Sequence, residues 1–394
     1  MDRRTFAALV TSMLSISTGV SFIIPLLPAY SQALGATGIW VGLILGANPL
    51  MRGIFEIIFG RLADAHGTKR FLVTGLAAYA LVALGFLSAQ APWQLFVWRL
   101  LQGFFGSMVE PVARAYAGSL TPPGKEGTVM SFYNLSFFAG FAIGPPMGGL
   151  LAQWVSPAAP FYGMTVLSTL ALVMVLAYVP ERKGAYTSKG HSLVPLRVLW
   201  GDRTIQGLIW GRSFLAQRRG IFTGLFPLWV GMVGLSPFTA GTLISARSVV
   251  ESLMQPVFGA ASDRFDRRRL ALFGYAFAPL AFFLTPRAVT PWQLAAVCII
   301  LALSGGVSVP AITALSVDKG REVGMGSIMG VTGTAMSLGM ASGSFLGGLV
   351  MEVWGIGTSF AAAGLLSFLG MLGFAWLTGR RAAPAWSVQA QRAD

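Results

Sequence analysis

Charge is scarce in this sequence. Asp, Glu, Lys and Arg together make up 11% of its 394 residues, against 55% hydrophobic, whereas soluble domains carry roughly 25% charged residues. Too little polar surface remains to clothe a water-soluble core, so the chain is expected in lipid. Cysteine and histidine are scarcer still. The lone Cys298 excludes an intrachain disulfide and a cysteine-cluster metal site, and His66 and His191, both expected in loops, form no metal constellation. The sequence lacks a Gly-x-x-x-x-Gly-Lys-Ser/Thr phosphate loop, which disfavours an ATP-driven pump. It also lacks a legible nucleophile, base and oxyanion arrangement, so neither enzymatic activity nor a cofactor is expected.

Of the two signs, acid is the rarer: 14 Asp and Glu stand against 28 Lys and Arg, a formal charge of +14. In a soluble domain that excess would raise nucleic acid as a partner. Its distribution gives another reading. Apolar stretches such as 72–87, 166–179 and 361–377 approach the roughly 20 residues that span a bilayer. Twelve spans are expected at 6–30, 38–60, 71–89, 93–117, 127–151, 160–179, 204–231, 238–261, 270–286, 291–316, 324–351 and 357–378. Both termini then share a side, which holds 20 of the 28 basic residues, while Arg287 alone falls opposite. The positive-inside rule makes that side cytoplasmic. The basic charge is thus a topology signal and no nucleic-acid partner is expected. Met1 to Arg4 and the apolar run after them imitate a signal peptide, but the run continues to Tyr30 without a convincing cleavage site, so a retained first helix is expected.

An internal repeat organises the chain. Shifting it by 199 residues superimposes the halves without a gap from Pro28 to Gly149. Pro28 falls on Pro227, Gly42 on Gly241, Gly60 on Gly259 and Asp64 on Asp263, and Pro92-Trp93-Gln94-Leu95 meets Pro291-Trp292-Gln293-Leu294. The expected fold is all-α and integral to the membrane, with two pseudo-symmetric bundles of six helices. Residues 1–180 form the first bundle, 181–203 a cytoplasmic linker, 204–379 the second bundle and 380–394 a cytoplasmic tail. Parallel repeats place a substrate site between the halves near midplane, with rocking as the motion.

Three motifs sharpen this reading. Gly60-Arg-Leu-Ala-Asp64-Ala-His-Gly67-Thr-Lys69-Arg70 follows the second span, and Gly259-Ala-Ala-Ser-Asp263-Arg264-Phe-Asp-Arg267-Arg268-Arg269 follows the eighth. Both resemble the loop signature of the major facilitator superfamily, with Ala65 in place of a basic residue in copy one and Asp266 in place of glycine in copy two. Glycine permits close helix approach and Asp pairs or caps at a helix end, so Gly60, Asp64, Arg70, Gly259 and Asp263 are candidates for a conformational latch. Arg99-Leu-Leu-Gln102-Gly103 resembles the Arg-x-x-Gln-Gly signature of drug:proton antiporters, in which the arginine is linked to proton coupling. Gly144-Pro145-Pro146-Met-Gly148-Gly149 resembles the Gly-Pro-x-x-Gly-Gly signature of exporters, which makes Gly144, Pro145, Gly148 and Gly149 candidates for conformational gating; small-residue packing with a proline kink is the plainer explanation.

Seven arginines and three glutamates fall inside the expected spans, where each should face the bundle interior or a watery cavity. Asn48, Arg52 and Glu56 recur every four residues, with a possible Arg52–Glu56 pair, and Arg247, Glu251 and Gln255 stand at the repeat-equivalent positions. Glu110 follows Arg99 by eleven residues and precedes Arg114 by four. Structural ion pairing is one reading of these spacings. Proton carriage by Glu56 or Glu110 is the other, because low dielectric favours the protonated carboxyl. Arg212, Arg218 and Arg219 share the seventh span without an acid, and they serve either as snorkelling residues or as contacts for an anionic substrate.

The leading expectation is a proton-coupled exporter of the inner membrane. Glu56, Arg99 and Glu110 would serve coupling, and Asn48, Arg52, Arg218, Arg219, Arg247, Glu251 and Gln255 would line the substrate cavity. Its partners would be protons, a small organic molecule and the bilayer, with a single chain sufficient. An organic-anion uptake permease or uniporter and a lipid or glycolipid flippase are the alternatives.

Overall fold

The computed structural model describes residues 3–120, 126–181 and 201–379. Most of the expected linker and the whole 380–394 tail, with His191, lie outside them. Among the described residues the chain forms fourteen α-helices and one 3-10 turn. Paired where a span is broken, these make the twelve spans.

The first span divides into α1 (Arg3–Phe22) and α2 (Leu27–Ala33), with Pro28 in the first turn of α2. The fourth divides into α5 (Pro92–Gly106) and α6 (Glu110–Ser119) at Ser107–Val109, just before Pro111. Both were expected to be continuous; proline supplies no N–H to an unbroken helix and restarts one well. The other N-terminal spans are α3 (Gly38–His66), α4 (Thr68–Ser88), α7 (Glu126–Trp154) and α8 (Ala159–Tyr178). The second half holds α9 (Arg203–Met232), α10 (Pro237–Arg264), α11 (Arg267–Leu284), α12 (Pro291–Val323), α13 (Met325–Trp354) and α14 (Ile356–Gly379). His66, expected in a loop, ends α3, because a single residue, Gly67 at φ +105°, joins α3 to α4.

Nine of these helices are long and apolar enough to cross a membrane. The remaining spans are the broken fourth, and α9 and α10, whose apolar character is diluted by Arg212, Arg218, Arg219, Arg247 and Glu251. Large apolar side chains such as Leu81, Val166 and Leu365 are exposed on the outer faces, whereas Ser12, Ser17, Ser21, Ser304 and Ser308 are buried between helices. That inversion suits hydrocarbon, where small and hydroxyl residues bring helices together.

The packing obeys the 199-residue repeat. In the first half α1 packs on α7 and α8, and α3 on α5; in the second, α9 packs on α13 and α14, and α10 on α12. The halves meet through α3 with α13 and through α7 with α10. A Cβ on Gly149 would collide with Pro237 and Phe238, and one on Gly348 with Gly38 and Gly42, so both seams are glycine contacts at repeat-equivalent positions. These contacts sit at the end remote from the termini. Toward the terminus side the α7–α10 seam parts into a cleft of about 780 Å³, lined by Asn134, Leu135, Phe138, Gln255, Gly259 and residues of α12. The molecule is therefore closed at the far end and open at the terminus end.

Candidate functional site

In the first half the charges gather where α3 faces the break in the fourth span. Arg52 does not pair with Glu56 one turn along its own helix. It forms a close ion pair with Glu110 at the start of α6, and Arg114 holds the other Glu110 oxygen at 3.0 Å. Glu110 thus satisfies two guanidiniums at once, that of Arg52 partly buried and that of Arg114 exposed. Glu56 is partly buried one turn away and makes no hydrogen bond or ion pair among the described residues. A small cavity of about 40 Å³, bounded by Met13, Ser17, Tyr79 and Phe137 among others, adjoins the Arg52–Glu110 pair. Tyr133 of α7 is fully buried with its hydroxyl unpaired among the described residues, within Coulombic range of Glu110.

The Arg-x-x-Gln-Gly segment forms a local unit. Arg99 donates to the Ile44 carbonyl at 3.2 Å and closely to Gln102 Oε1, and Gln102 is wholly buried against Met164. Gly103 lets α5 approach the Asn48 backbone closely enough for that reach.

In the second half Arg247 pairs with Glu251 one turn along α10, at 2.9 Å. Its guanidinium lies 5.0 Å from the Phe222 ring of α9, and its Nε is buried without a partner among the described residues. The Glu251 carboxylate occupies the space that a Cβ on Gly305 of α12 would take. Arg218 is drawn into the bundle rather than toward the space between halves. It is 5% exposed, donates to Ser304 Oγ at 2.6 Å and lies 5.9 Å from the Tyr275 ring. Arg212 donates to Thr313 Oγ1 at 2.7 Å. Arg219 is exposed, and Gln255 borders the cleft.

The exporter-type segment divides its labour. Gly144 and Gly148 lie against Ser21 and Phe22 of α1, whereas Gly149 and the Pro145 carbonyl touch α10 of the other half. One glycine and one proline of the motif thus belong to the moving seam.

The loop signature shows why its copies differ. In copy one the Glu181 carboxylate, which opens the linker, accepts from the Lys69 amide at 3.1 Å and stands where a Cβ on Gly67 would be. In copy two Asp266 occupies the position of Gly67 and caps its own helix, accepting from the Arg269 amide at 2.8 Å. The departure from glycine therefore replaces a cap from the linker with one inside the loop. Arg267 binds Asp318 of α12 closely and Asp263 at 3.5 Å. The side chain of Asp64 lies outside the described set, and Arg70 is exposed. Gly60 and Gly259 were expected to mediate close helix approach, yet both face open space, because the halves are apart at this end.

Glu181, Glu352, Asp318 and Ser304 were missed by the sequence reading. None of the four has an identical residue at its repeat-equivalent position, where Gln153 answers Glu352 and Ser119 answers Asp318.

Two repeat-related six-helix bundles, charged inside and open at one end, are the architecture of a membrane transporter. The major facilitator superfamily model matches residues 9–233 and 208–393, and the chain belongs to that superfamily. It is 25% identical over 375 residues to an uncharacterised MFS-type transporter of Methanocaldococcus jannaschii, covering 94% of this chain and 96% of that one. It is 26% identical over 377 residues to the multidrug resistance protein MdtG of Serratia proteamaculans, covering 92% of each. In fold it is similar to a bacterial homologue of the human lysosomal transporter Spinster, with a TM-score of 0.81 at 13% identity, covering 98% of this chain and all of that one.

Proposed function

We propose that this protein is a proton-coupled secondary transporter of the cytoplasmic membrane that exports a small amphipathic or anionic organic compound. A single chain contains both half-sites and acts as a monomer. The bias of basic residues to one side makes the termini cytoplasmic, so the open end faces the cytoplasm, where an exporter loads. The names of relatives such as MdtG, a multidrug resistance protein, support outward transport.

The observation that carries the coupling reading is the unequal state of two neighbouring carboxyls. Glu110 is held by Arg52 and Arg114, whereas Glu56, one turn from Arg52, has no partner among the described residues. An unpaired carboxyl at the edge of a low-dielectric interior readily takes and releases a proton. Glu56 carries the proton, Glu110 is the counter-ion that Arg52 exchanges as the halves rock, and Arg99 ties α5 to α3 so that the motion is shared. The loop signatures and the glycine seams set the two end states. Reconstitution in liposomes with a trapped pH indicator tests this: substrate-dependent proton flux in the wild type and none in Glu56→Gln supports the reading, and equal flux in both rejects it.

A further inference from the structure

Each of the seven membrane arginines can be assigned an acceptor in its own half, with one exception. Arg52 and Arg114 hold Glu110, Arg99 holds Gln102, Arg212 holds Thr313, Arg218 holds Ser304 and Arg247 holds Glu251. Among the described residues the Arg219 guanidinium has no partner, and its side chain is exposed although it lies mid-way along a 30-residue spanning helix.

The face of α9 that carries it is fixed by its neighbours. Gly220 abuts α13 and Gly224 meets Leu45 of α3, while Arg218 points to α12. Arg219 sits one turn from Phe222, and residues three apart share a helix face. Phe222 is the residue over which Arg247 of α10 stacks, so Arg219 points into the space between α9 and α10. The charges of Glu251 and Arg247 lie within Coulombic range of it.

From this geometry we infer that Arg219 is the receptor for the substrate's charged group, and that this group is a single oxyanion, a carboxylate or sulfonate, on an apolar body. The inference rests on the transport reading above and narrows its substrate class. A guanidinium presents a planar fork that matches one such group bidentately. Arg247 is already neutralised by Glu251, so it does not call for a second anionic group. Arg212 and Arg218 are each held by a hydroxyl of α12 rather than by an acid, so they add a positive field to the interior. Leu135 and Phe138, exposed along the cleft between α7 and α10, are the apolar surface for the body of the substrate.

The test is equilibrium binding to the full-length protein in nanodiscs without a proton gradient. The probes are 1-naphthoate, 4-phenylbutyrate and 11-(dansylamino)undecanoate, each beside its primary amide. The wild type is expected to bind at least one carboxylate about 10–100-fold more tightly than its amide, the range of a charge-assisted hydrogen bond. Arg219→Gln should abolish that preference, each carboxylate binding no more tightly than its amide, and Arg219→Lys should retain part of it. Equal affinities for carboxylate and amide in the wild type, binding of amides alone, no binding of any probe, or a preference that survives Arg219→Gln would each overturn the inference. If the variant does not fold, the wild-type comparison decides alone. Selective carboxylate binding without proton-linked flux would reject the proton-coupled reading and leave the receptor standing.

Discussion

Arg52 of α3 reaches past Glu56, its neighbour on the same helical face, to Glu110 at the start of α6. The break at Ser107–Val109 makes Glu110 the first residue of a new helix, where Arg114 is also within reach. Two carboxyls close in space are thereby sorted into a tethered one and a free one.

The sorting separates their variants. Glu56→Gln is expected to keep wild-type stability and gradient-free substrate exchange while losing proton-driven flux. Glu110→Gln leaves the partly buried Arg52 and the exposed Arg114 without their counter-ion, a loss below the roughly 3–5 kcal/mol of a fully buried pair. Its signature is a reduced yield and a lowered midpoint in thermal unfolding, with stability restored in Arg52→Met combined with Glu110→Met.

The Glu181 cap over Gly67 is expected to stabilise the first half by about 1 kcal/mol, the usual worth of a helix cap. Glu181→Ala should lower the unfolding midpoint by about 2–4 °C and Glu181→Gln by less. Asp266→Ala should do the same in the second half. Unchanged midpoints in all three variants would remove the caps from the account of the loop signatures.

At the far end, the Ile39 amide that begins α3 donates to Glu352 of α13 at 3.2 Å, a cap that crosses from one half to the other. Opening that end breaks it. In a Cys298→Ser background, labelling of Leu45→Cys by an impermeant thiol reagent from outside should rise about fivefold on Glu352→Ala, the equivalent of roughly 1 kcal/mol. Gly149→Leu, which places a side chain against Pro237 and Phe238, should expose the same site more strongly and abolish transport without loss of protein.

Export of one monoanion in exchange for one proton moves two elementary charges in the same sense. Each is worth about 2.3 kcal/mol per 100 mV, so a potassium diffusion potential alone, without a pH difference, should drive carboxylate transport in liposomes. Indifference to the potential would exclude that stoichiometry.

The twelve spans, the pseudo-symmetry and the seam glycines were legible because proline and glycine hold the 199-residue register. Helix interruptions near Pro28 and Pro111 were not read, since proline begins a helix as readily as it breaks one. Within the site, the four-residue steps placed Arg52 and Glu56 on one face but gave no means of knowing that Glu110, on another span, would win Arg52. Arg218 and Arg219 are adjacent in sequence and alike in composition. Only packing separates them, because one meets Ser304 and Tyr275 while the other meets open space. The caps from Glu181 and Glu352 join elements far apart in the chain, and such pairings leave no local pattern.

Proton movement in proteoliposomes, read by a trapped pH indicator on addition of an organic carboxylate, tests coupled export most directly. Wild-type protein should translocate protons in proportion to the carboxylate moved, and Glu56→Gln should pass carboxylate without protons. Carboxylate flux with no proton movement in the wild type, or undiminished proton movement in Glu56→Gln, would contradict coupling through this site.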